Sequence, residues 1–161
     1  SAASDVYKRQ VGISIKIIQH CLPHQNRELS SFYKDSNIEH ELFNFSDNLI
    51  EFFSKVNLAI TRSGSSMLAE LTNANIPFIS IPLPSSVDDH QLKNATFYKN
   101  KNFSFLVEEK DLNDKLFNLL KEIFENMSKL DKISAYQRQY SDKHVYENID
   151  KVLDKILNEK N

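Results

Sequence analysis

The chain has 161 residues, of which 40% are hydrophobic, and a formal net charge of -2. This length suits one domain with a core of ordinary size and is too short to favour two. The nearly balanced charge excludes an overall basic field, so no nucleic-acid partner is expected. The single cysteine, Cys21, excludes an internal disulfide framework, and no apolar run is long enough for a membrane span, so we expect a soluble chain.

The first ten residues differ in character from those that follow. Residues 1–10, SAASDVYKRQ, are small and polar and lack periodicity. We interpret them as a non-native leader or an artefact of the sequence end. The single domain is therefore expected to comprise residues 11–161.

Apolar periodicity predicts five short strands that alternate with helices. The predicted strands are residues 13–18, 38–43, 58–61, 77–81 and 103–107. The predicted helices are residues 24–34, 65–75, 88–101, 112–127, 130–140 and 145–157. A further helix is predicted to begin at Ser46, with Asp47 in its first turn and apolar residues as far as Val56. This alternation is typical of βαβ units, so the predicted fold class is α/β, with a parallel sheet covered by helices on both faces.

A serine-glycine turn follows the third predicted strand and opens a helix. Its residues are Ser63, Gly64, Ser65 and Ser66. The first backbone N–H groups of a helix have no partner within it and lie at the positive end of the helix dipole, so the turn is a candidate phosphate site. A simple helix N-cap with a tight turn is the alternative.

A polar stripe runs along the same predicted helix. Ser66, Glu70 and Asn73 are spaced at i, i+4 and i+7, opposite an apolar face formed by Met67, Leu68, Leu71 and Ala74. A carboxylate one turn after a phosphate site is well placed to accept hydrogen bonds from both hydroxyls of a ribose. The alternative is that Glu70 only complements the helix dipole and is solvated.

Three further polar residues follow a proline loop at the start of the next predicted helix. Gln91 and Asn94 share one face, so their amides are candidates for recognising sugar hydroxyls or carbonyls. His90 lies beside them, and a surface or capping role is the commoner one for such a histidine.

Other chemical motifs are not found in the sequence. The spacing of His20, Cys21 and His24 lacks the fourth group of a zinc site, so no metal is expected. No nucleophile elbow, Walker lysine or glycine-rich dinucleotide fingerprint occurs. The adjacent carboxylates Asp88-Asp89 and Glu108-Glu109 are interpreted as solvated, so no catalytic residue and no cofactor are assigned.

Three segments together resemble the sugar-nucleotide half of the MurG family. They are RSGSSMLAEL, the IPLP loop and DDHQLKNA. The resemblance implies the C-terminal half of a GT-B glycosyltransferase, a Rossmann-like domain that binds UDP-N-acetylglucosamine. It places Ser65 to Glu70, with Met67, Leu68 and Ala69 between them, at the diphosphate and ribose. It also places Gln91 with His90 at the sugar, and Phe45 and Ser46 at the uracil edge.

The family's activity implies partners outside this sequence. Family members transfer N-acetylglucosamine to lipid-linked muramoylpentapeptide in peptidoglycan synthesis, at the cytoplasmic face of the cell membrane. The glycine-rich loop and the N-terminal acceptor domain, with its candidate catalytic histidine, are not in this sequence. We therefore expect a C-terminal fragment, cut upstream of Gly12, that does not transfer sugar by itself.

Alternative functions stay open at this stage. One is a stand-alone donor-binding subunit of a two-chain N-acetylglucosamine transferase, and another is a non-enzymatic α/β interaction module. A UDP-N-acetylglucosamine epimerase would need further carboxylates and histidines that the sequence does not indicate. Peripheral membrane contact through Lys93, Lys99 and Lys101 is less expected than solvation of these lysines.

Overall fold

The structure is a computed structural model that describes residues 14–46, 49–140 and 145–158, without the side chains of Ile50 and of residues 145–148. The residues pack as two compact units. Unit 1 comprises the described residues within Ser1–Val56 and Asn118–Met127, and unit 2 comprises those within Asn57–Phe117 and Ser128–Asn161. The predicted leader, residues 1–10, lies outside the described residues.

Unit 1 contains a parallel pair of strands. Strand β1 is Lys16–His20 and strand β2 is Glu39–Phe43, and they pair over their full length from Lys16 opposite Glu39 to His20 opposite Phe43. A 3-10 turn at Pro23–Gln25 and helix α1, Asn26–Asp35, connect them. Pairing with β2 explains why β1 extends two residues beyond the predicted end at Ile18, since a ladder partner is not visible in local sequence.

Partly buried hydrogen bonds hold the residues at the carboxyl end of β1. Cys21 is buried, and its Sγ donates to Asn26 Oδ1 at 2.8 Å. The side-chain amide of Asn44 donates from Nδ2 to the backbone carbonyl of Cys21 at 2.9 Å. Tyr33 on α1 is buried, its hydroxyl donates to Gln19, and this burial raises the pKa of the Tyr33 phenol.

The helix predicted to begin at Ser46 is much shorter in the structure. Helix α2 is Ile50–Phe53, Ser46 lies outside it, and Asp47 is not among the described residues. The Ser54 hydroxyl donates to the carbonyl of Glu51 at 3.1 Å, a local bond that competes with helix continuation. The prediction of a helix from Ser46 to about Val56 is therefore wrong.

Unit 2 contains a three-stranded parallel sheet. Strand β3 is Ala59–Thr61, β4 is Phe78–Ser80 and β5 is Ser104–Leu106, in the order β3-β4-β5. All three residues of the central strand β4 are fully buried. Because successive side chains point to opposite faces of a sheet, both faces of β4 are covered.

Helices occupy most of the remaining described chain. They are α3 Ser65–Asn73, α4 His90–Asn100, α5 Phe117–Glu125, α6 Ser128–Gln139 and α7 Val145–Asn158, with 3-10 turns at Val87–Asp89 and Glu109–Asp111 and a π-helical turn at Leu112–Leu116. The α/β class with parallel strands is confirmed. The strands form two separate ladders instead of the one predicted sheet. No helix in the described ranges is both long and apolar enough to cross a membrane.

A fully buried glutamine on α6 donates hydrogen bonds to the two segments that precede β4 and β5 in unit 2. Gln137 Nε2 donates to the carbonyl of Ile76 at 3.0 Å and to the carbonyl of Phe103 at 2.8 Å. Ile76 precedes β4 and Phe103 precedes β5. Buried carbonyls need a donor, so this side chain fixes where the two strands begin.

We predict that Gln137→Leu destabilises the domain. The substitution keeps the side chain's approximate volume but leaves two buried carbonyls without a donor, which should lower the free energy of unfolding by about 1 to 3 kcal/mol. Urea unfolding followed by circular dichroism measures the effect. Gln139→Leu, at an exposed position on the same helix, is the matched control, and equal stability of the two variants would contradict the prediction.

Candidate functional site

Helix α3 begins at the carboxyl end of β3, where parallel α/β sheets present their ligand sites. Gly64 is its N-cap residue, with extended backbone angles of φ -66° and ψ 135°. The first intrahelical bond runs from the amide of Leu68 to the carbonyl of Gly64 at 3.1 Å. A Cβ built on Gly64 meets nothing within 4 Å, so the turn borders open space.

Four backbone amides at this turn are available to a ligand. The N–H groups of Gly64, Ser65, Ser66 and Met67 have no hydrogen-bond partner among the residues that the structure describes, and no side chain caps the helix. Gly64, Ser65 and Ser66 are exposed. Unpaired amides together with the positive end of the helix dipole form an anion site of the kind predicted from sequence.

Ser63 plays a different part from the rest of the turn. Its side chain is fully buried, and its N–H donates to Gln91 Oε1 at 3.1 Å. Its carbonyl accepts from Asn94 Nδ2 at 3.1 Å. The Ser63 amide is thus unpaired within helix α3, as predicted, but it is bonded to a side chain of α4 and is not free for a ligand. A direct contact between another group of Ser63 and a ligand stays a prediction.

The polar stripe of α3 faces solvent as predicted. Ser66, Glu70 and Asn73 are exposed, and the Glu70 carboxylate makes no hydrogen bond or ion pair within the described ranges. On the opposite face, Leu68 and Leu71 are buried. Glu70 is thus accessible one helical turn after the free amides, where it can accept hydrogen bonds from ligand hydroxyls.

The remaining α3 residues contribute mainly to packing. Leu68 is fully buried, and its backbone N–H donates to the carbonyl of Gly64. Leu68 therefore offers no free N–H to a ligand, and its contact with a ligand stays a prediction. Met67 and Ala69 are half-buried. Ala74, predicted on the apolar face, is instead exposed as the C-cap residue.

The start of α4 adds the second group of predicted site residues. The helix begins at His90, which is exposed, whereas the sequence predicts a start at Asp88. Asp88 and Asp89 precede it with positive φ values of 48° and 54°, a conformation that aspartate tolerates better than most residues. Gln91 and Asn94 are half-buried and contact the Ser63 turn, so the structure brings these predicted residues together.

Phe45 and Ser46 lie in unit 1, after strand β2. The Phe45 side chain is 80% exposed and Ser46 is half-buried. An exposed aromatic ring at the carboxyl end of a parallel strand is compatible with stacking on a base. Their contact with a uracil stays a prediction.

Sequence reasoning assigned no role to Arg62, which forms an ion pair with Glu109 at the carboxyl end of the sheet. Arg62 follows β3 and Glu109 follows β5, so the pair spans the end of the central strand. The position of Arg62 directly before the serine turn is a signal that could have drawn attention to it. Glu109, 47 residues away, carries no comparable signal.

No group of three or more histidine, cysteine, aspartate or glutamate side chains suited to a metal ion occurs in the described part of the chain. The predicted site residues on α3 and α4 offer backbone amides, hydroxyls, carboxamides, the Glu70 carboxylate and the His90 imidazole. These groups bind anions and polyhydroxylated molecules.

Comparison with known proteins identifies the family. The model of the glycosyltransferase family 28 C-terminal domain matches residues 1–152. A relative from Pelagibacter ubique (strain HTCC1062) is 34% identical over 146 residues, which are 90% of this chain and 41% of that protein. It is named UDP-N-acetylglucosamine--N-acetylmuramyl-(pentapeptide) pyrophosphoryl-undecaprenol N-acetylglucosamine transferase. A relative of the same name from Rickettsia bellii (strain RML369-C) is 31% identical, over 76% of this chain and 36% of its own length.

A solved structure agrees with this assignment. The crystal structure of Acinetobacter baumannii MurG matches 96% of this chain and 44% of that chain, with a TM-score of 0.75 at 20% sequence identity, and so shows the same fold. The chain spans less than half the length of these relatives. The resemblance to the MurG family is confirmed, and the chain belongs to the glycosyltransferase family 28 C-terminal domain family.

Proposed function

We propose that this chain is the donor-binding domain of an inverting hexosyltransferase that uses UDP-N-acetylglucosamine. The complete enzyme would transfer N-acetylglucosamine to lipid-linked muramoylpentapeptide in peptidoglycan synthesis. Two curated relatives carry the name of this transferase. The observation that carries the proposal is the set of free amides at the start of α3 with the accessible Glu70 carboxylate one turn later.

The geometry of α3 suits the two halves of a nucleoside diphosphate. Ser66 and Glu70 are separated by four residues, which corresponds to about 6 Å along a helix axis. The free amides of the turn would bind the diphosphate, while the carboxylate of Glu70 would accept hydrogen bonds from the ribose hydroxyls. His90, Gln91 and Asn94 would contact the sugar.

The same groups would assist the transfer step. In an inverting transfer, the acceptor oxygen forms a bond to the anomeric carbon while the bond from that carbon to the diphosphate oxygen breaks. Negative charge then develops on the departing UDP. Helix amides that already point at the diphosphate stabilise this charge without reorganisation, so the residues of α3 would favour the leaving group.

None of the residues proposed above is assigned to binding of the acceptor substrate. We propose that an N-terminal acceptor domain holds the lipid-linked muramoylpentapeptide and supplies the remaining catalytic residues. Because this acceptor is anchored in lipid, the complete protein would work in the cytoplasm at the inner face of the cell membrane, as a peripheral protein.

A nucleotide titration tests the proposal. We expect UDP to shift the amide signals of Gly64, Ser65, Ser66 and Met67 in a ¹H–¹⁵N NMR spectrum, and to do so at lower concentration than ADP. The amides move because they exchange water for phosphate oxygens as partners. No response to millimolar UDP, or the same response to ADP, would instead favour a non-enzymatic interaction module in which the turn is only a helix cap.

Glu70→Ala should weaken the binding of UDP without unfolding the domain. Glu70 is exposed on α3, and loss of charge-assisted hydrogen bonds to the ribose should cost about 1.5 to 3 kcal/mol of binding free energy. Calorimetry measures the affinity, and thermal unfolding checks the fold. Asn73→Ala, further along the same exposed stripe, is the matched control. An affinity for UDP that Glu70→Ala leaves unchanged would remove Glu70 from the site.

A further inference from the structure

One carboxamide oxygen holds two loops at the carboxyl end of the sheet in unit 2. Gln91 Oε1 accepts from the backbone N–H of Ser63 at 3.1 Å and from the backbone N–H of Leu83 at 3.0 Å. Ser63 follows β3 and Leu83 follows β4, and these two strands are neighbours in the sheet. The side chain therefore fixes the relative position of the two loops.

A second amide side chain completes the attachment. Asn94, on the same face of α4, donates from Nδ2 to the Ser63 carbonyl at 3.1 Å. Both backbone polar groups of Ser63 are thus bound by side chains of α4. The orientation of each amide follows from its partners, since two N–H groups require the Gln91 oxygen and a carbonyl requires the Asn94 nitrogen.

The attachment lies directly before the free amides. Ser63 is bonded to Gly64, whose amide is the first of the four without a partner in the described residues. No side chain caps this end of α3, and the space around the Gly64 Cα is open. The hydrogen bonds that hold the backbone of Ser63 therefore also orient the free amides that follow it.

We propose that Gln91 and Asn94 are positioning residues for the diphosphate, in addition to their expected contact with the sugar. This inference rests on the proposed function. Each carboxamide binds the turn through one atom, which leaves Gln91 Nε2 and Asn94 Oδ1 without a partner in the part of the chain that the structure describes. The same two side chains would then orient the amides that bind the diphosphate and would also contact the sugar directly. Binding of the diphosphate and binding of the sugar would therefore be coupled.

The affinity for UDP separates this role from sugar contact alone, because UDP contains no N-acetylglucosamine. In Gln91→Met, which has a similar length and no strong acceptor, we expect UDP affinity to fall about five- to tenfold, as for the loss of one or two ordinary hydrogen bonds. We also expect the amide proton signals of Ser63 and Leu83 to move upfield. Lys93→Met, at an exposed position of α4, is the control and should leave both measurements unchanged.

Conservative variants distinguish positioning from general stability. Gln91→Glu retains an oxygen acceptor and should return the Ser63 and Leu83 amide signals to their original positions. Asn94→Leu removes the donor to the Ser63 carbonyl together with the free Oδ1, and UDP contains no N-acetylglucosamine for that oxygen to contact. This variant should therefore also weaken UDP binding, and it carries the test if Gln91→Met does not fold.

The outcomes separate this inference from the proposed function. An unmodified chain that does not respond to UDP would contradict the proposed function itself. If the unmodified chain binds UDP and the folded Gln91→Met and Asn94→Leu variants bind it equally well, the positioning role is overturned while the donor-binding function stands.

Discussion

The first backbone amides of α3 need hydrogen-bond acceptors that the helix itself does not supply, and the arrangement of the site depends on this need. A buried amide without an acceptor is costly, whereas an exposed one is satisfied by water or by a ligand. The boundary between the two situations falls between Ser63 and Gly64. Ser63 is buried and its amide is bonded to Gln91, while the amides that follow are open. This boundary determines which part of the serine turn holds the fold and which part is available to an anion.

The chemistry of Gln91 explains why a carboxamide suits its position. Two backbone N–H groups, of Ser63 and Leu83, converge on its oxygen. A carboxylate could accept both bonds, but it would place a negative charge beside a site proposed for a diphosphate. A carboxamide accepts the same bonds without charge and keeps two donors for a further partner. The loop after β4 and the turn after β3 are thereby joined without a negative charge beside the proposed anion site.

Local patterns made much of unit 2 predictable. The 3.6-residue period identified α3, with Leu68 and Leu71 buried and Glu70 exposed, and the apolar run around Phe78 identified the central strand. Both features depend on residues close together in the sequence. The amides without an intrahelical partner at the serine turn could likewise be predicted, because the first N–H groups of any helix lack such a partner. Anion binding at this turn stays a prediction.

Long-range hydrogen bonds were not predictable in the same way. Gln91 lies 28 residues from Ser63, and Gln137 lies 61 residues from Ile76. In each pair a side chain binds a backbone group. Every residue type has backbone groups, so the sequence does not indicate which residue the side chain will bind. The separation of the strands into two ladders has a similar origin, because strand pairing depends on contacts between residues that are distant in the sequence.

The charge of Glu70 gives the proposed site its preference among anions. If a phosphate charge lay about 6 Å from the Glu70 carboxylate, which corresponds to one helical turn, the repulsion would be about 0.7 kcal/mol per unit charge in water. Hydrogen bonds from hydroxyls to a carboxylate contribute about 1.5 to 3 kcal/mol, which exceeds this repulsion. If Glu70 accepts hydrogen bonds from a ribose as proposed, a ligand that combines a diphosphate with a vicinal pair of hydroxyls would gain from this carboxylate, whereas an inorganic phosphate would only experience the repulsion. The amides of α3 alone would accept any anion, and the carboxylate one turn later would then favour nucleotides over simple anions.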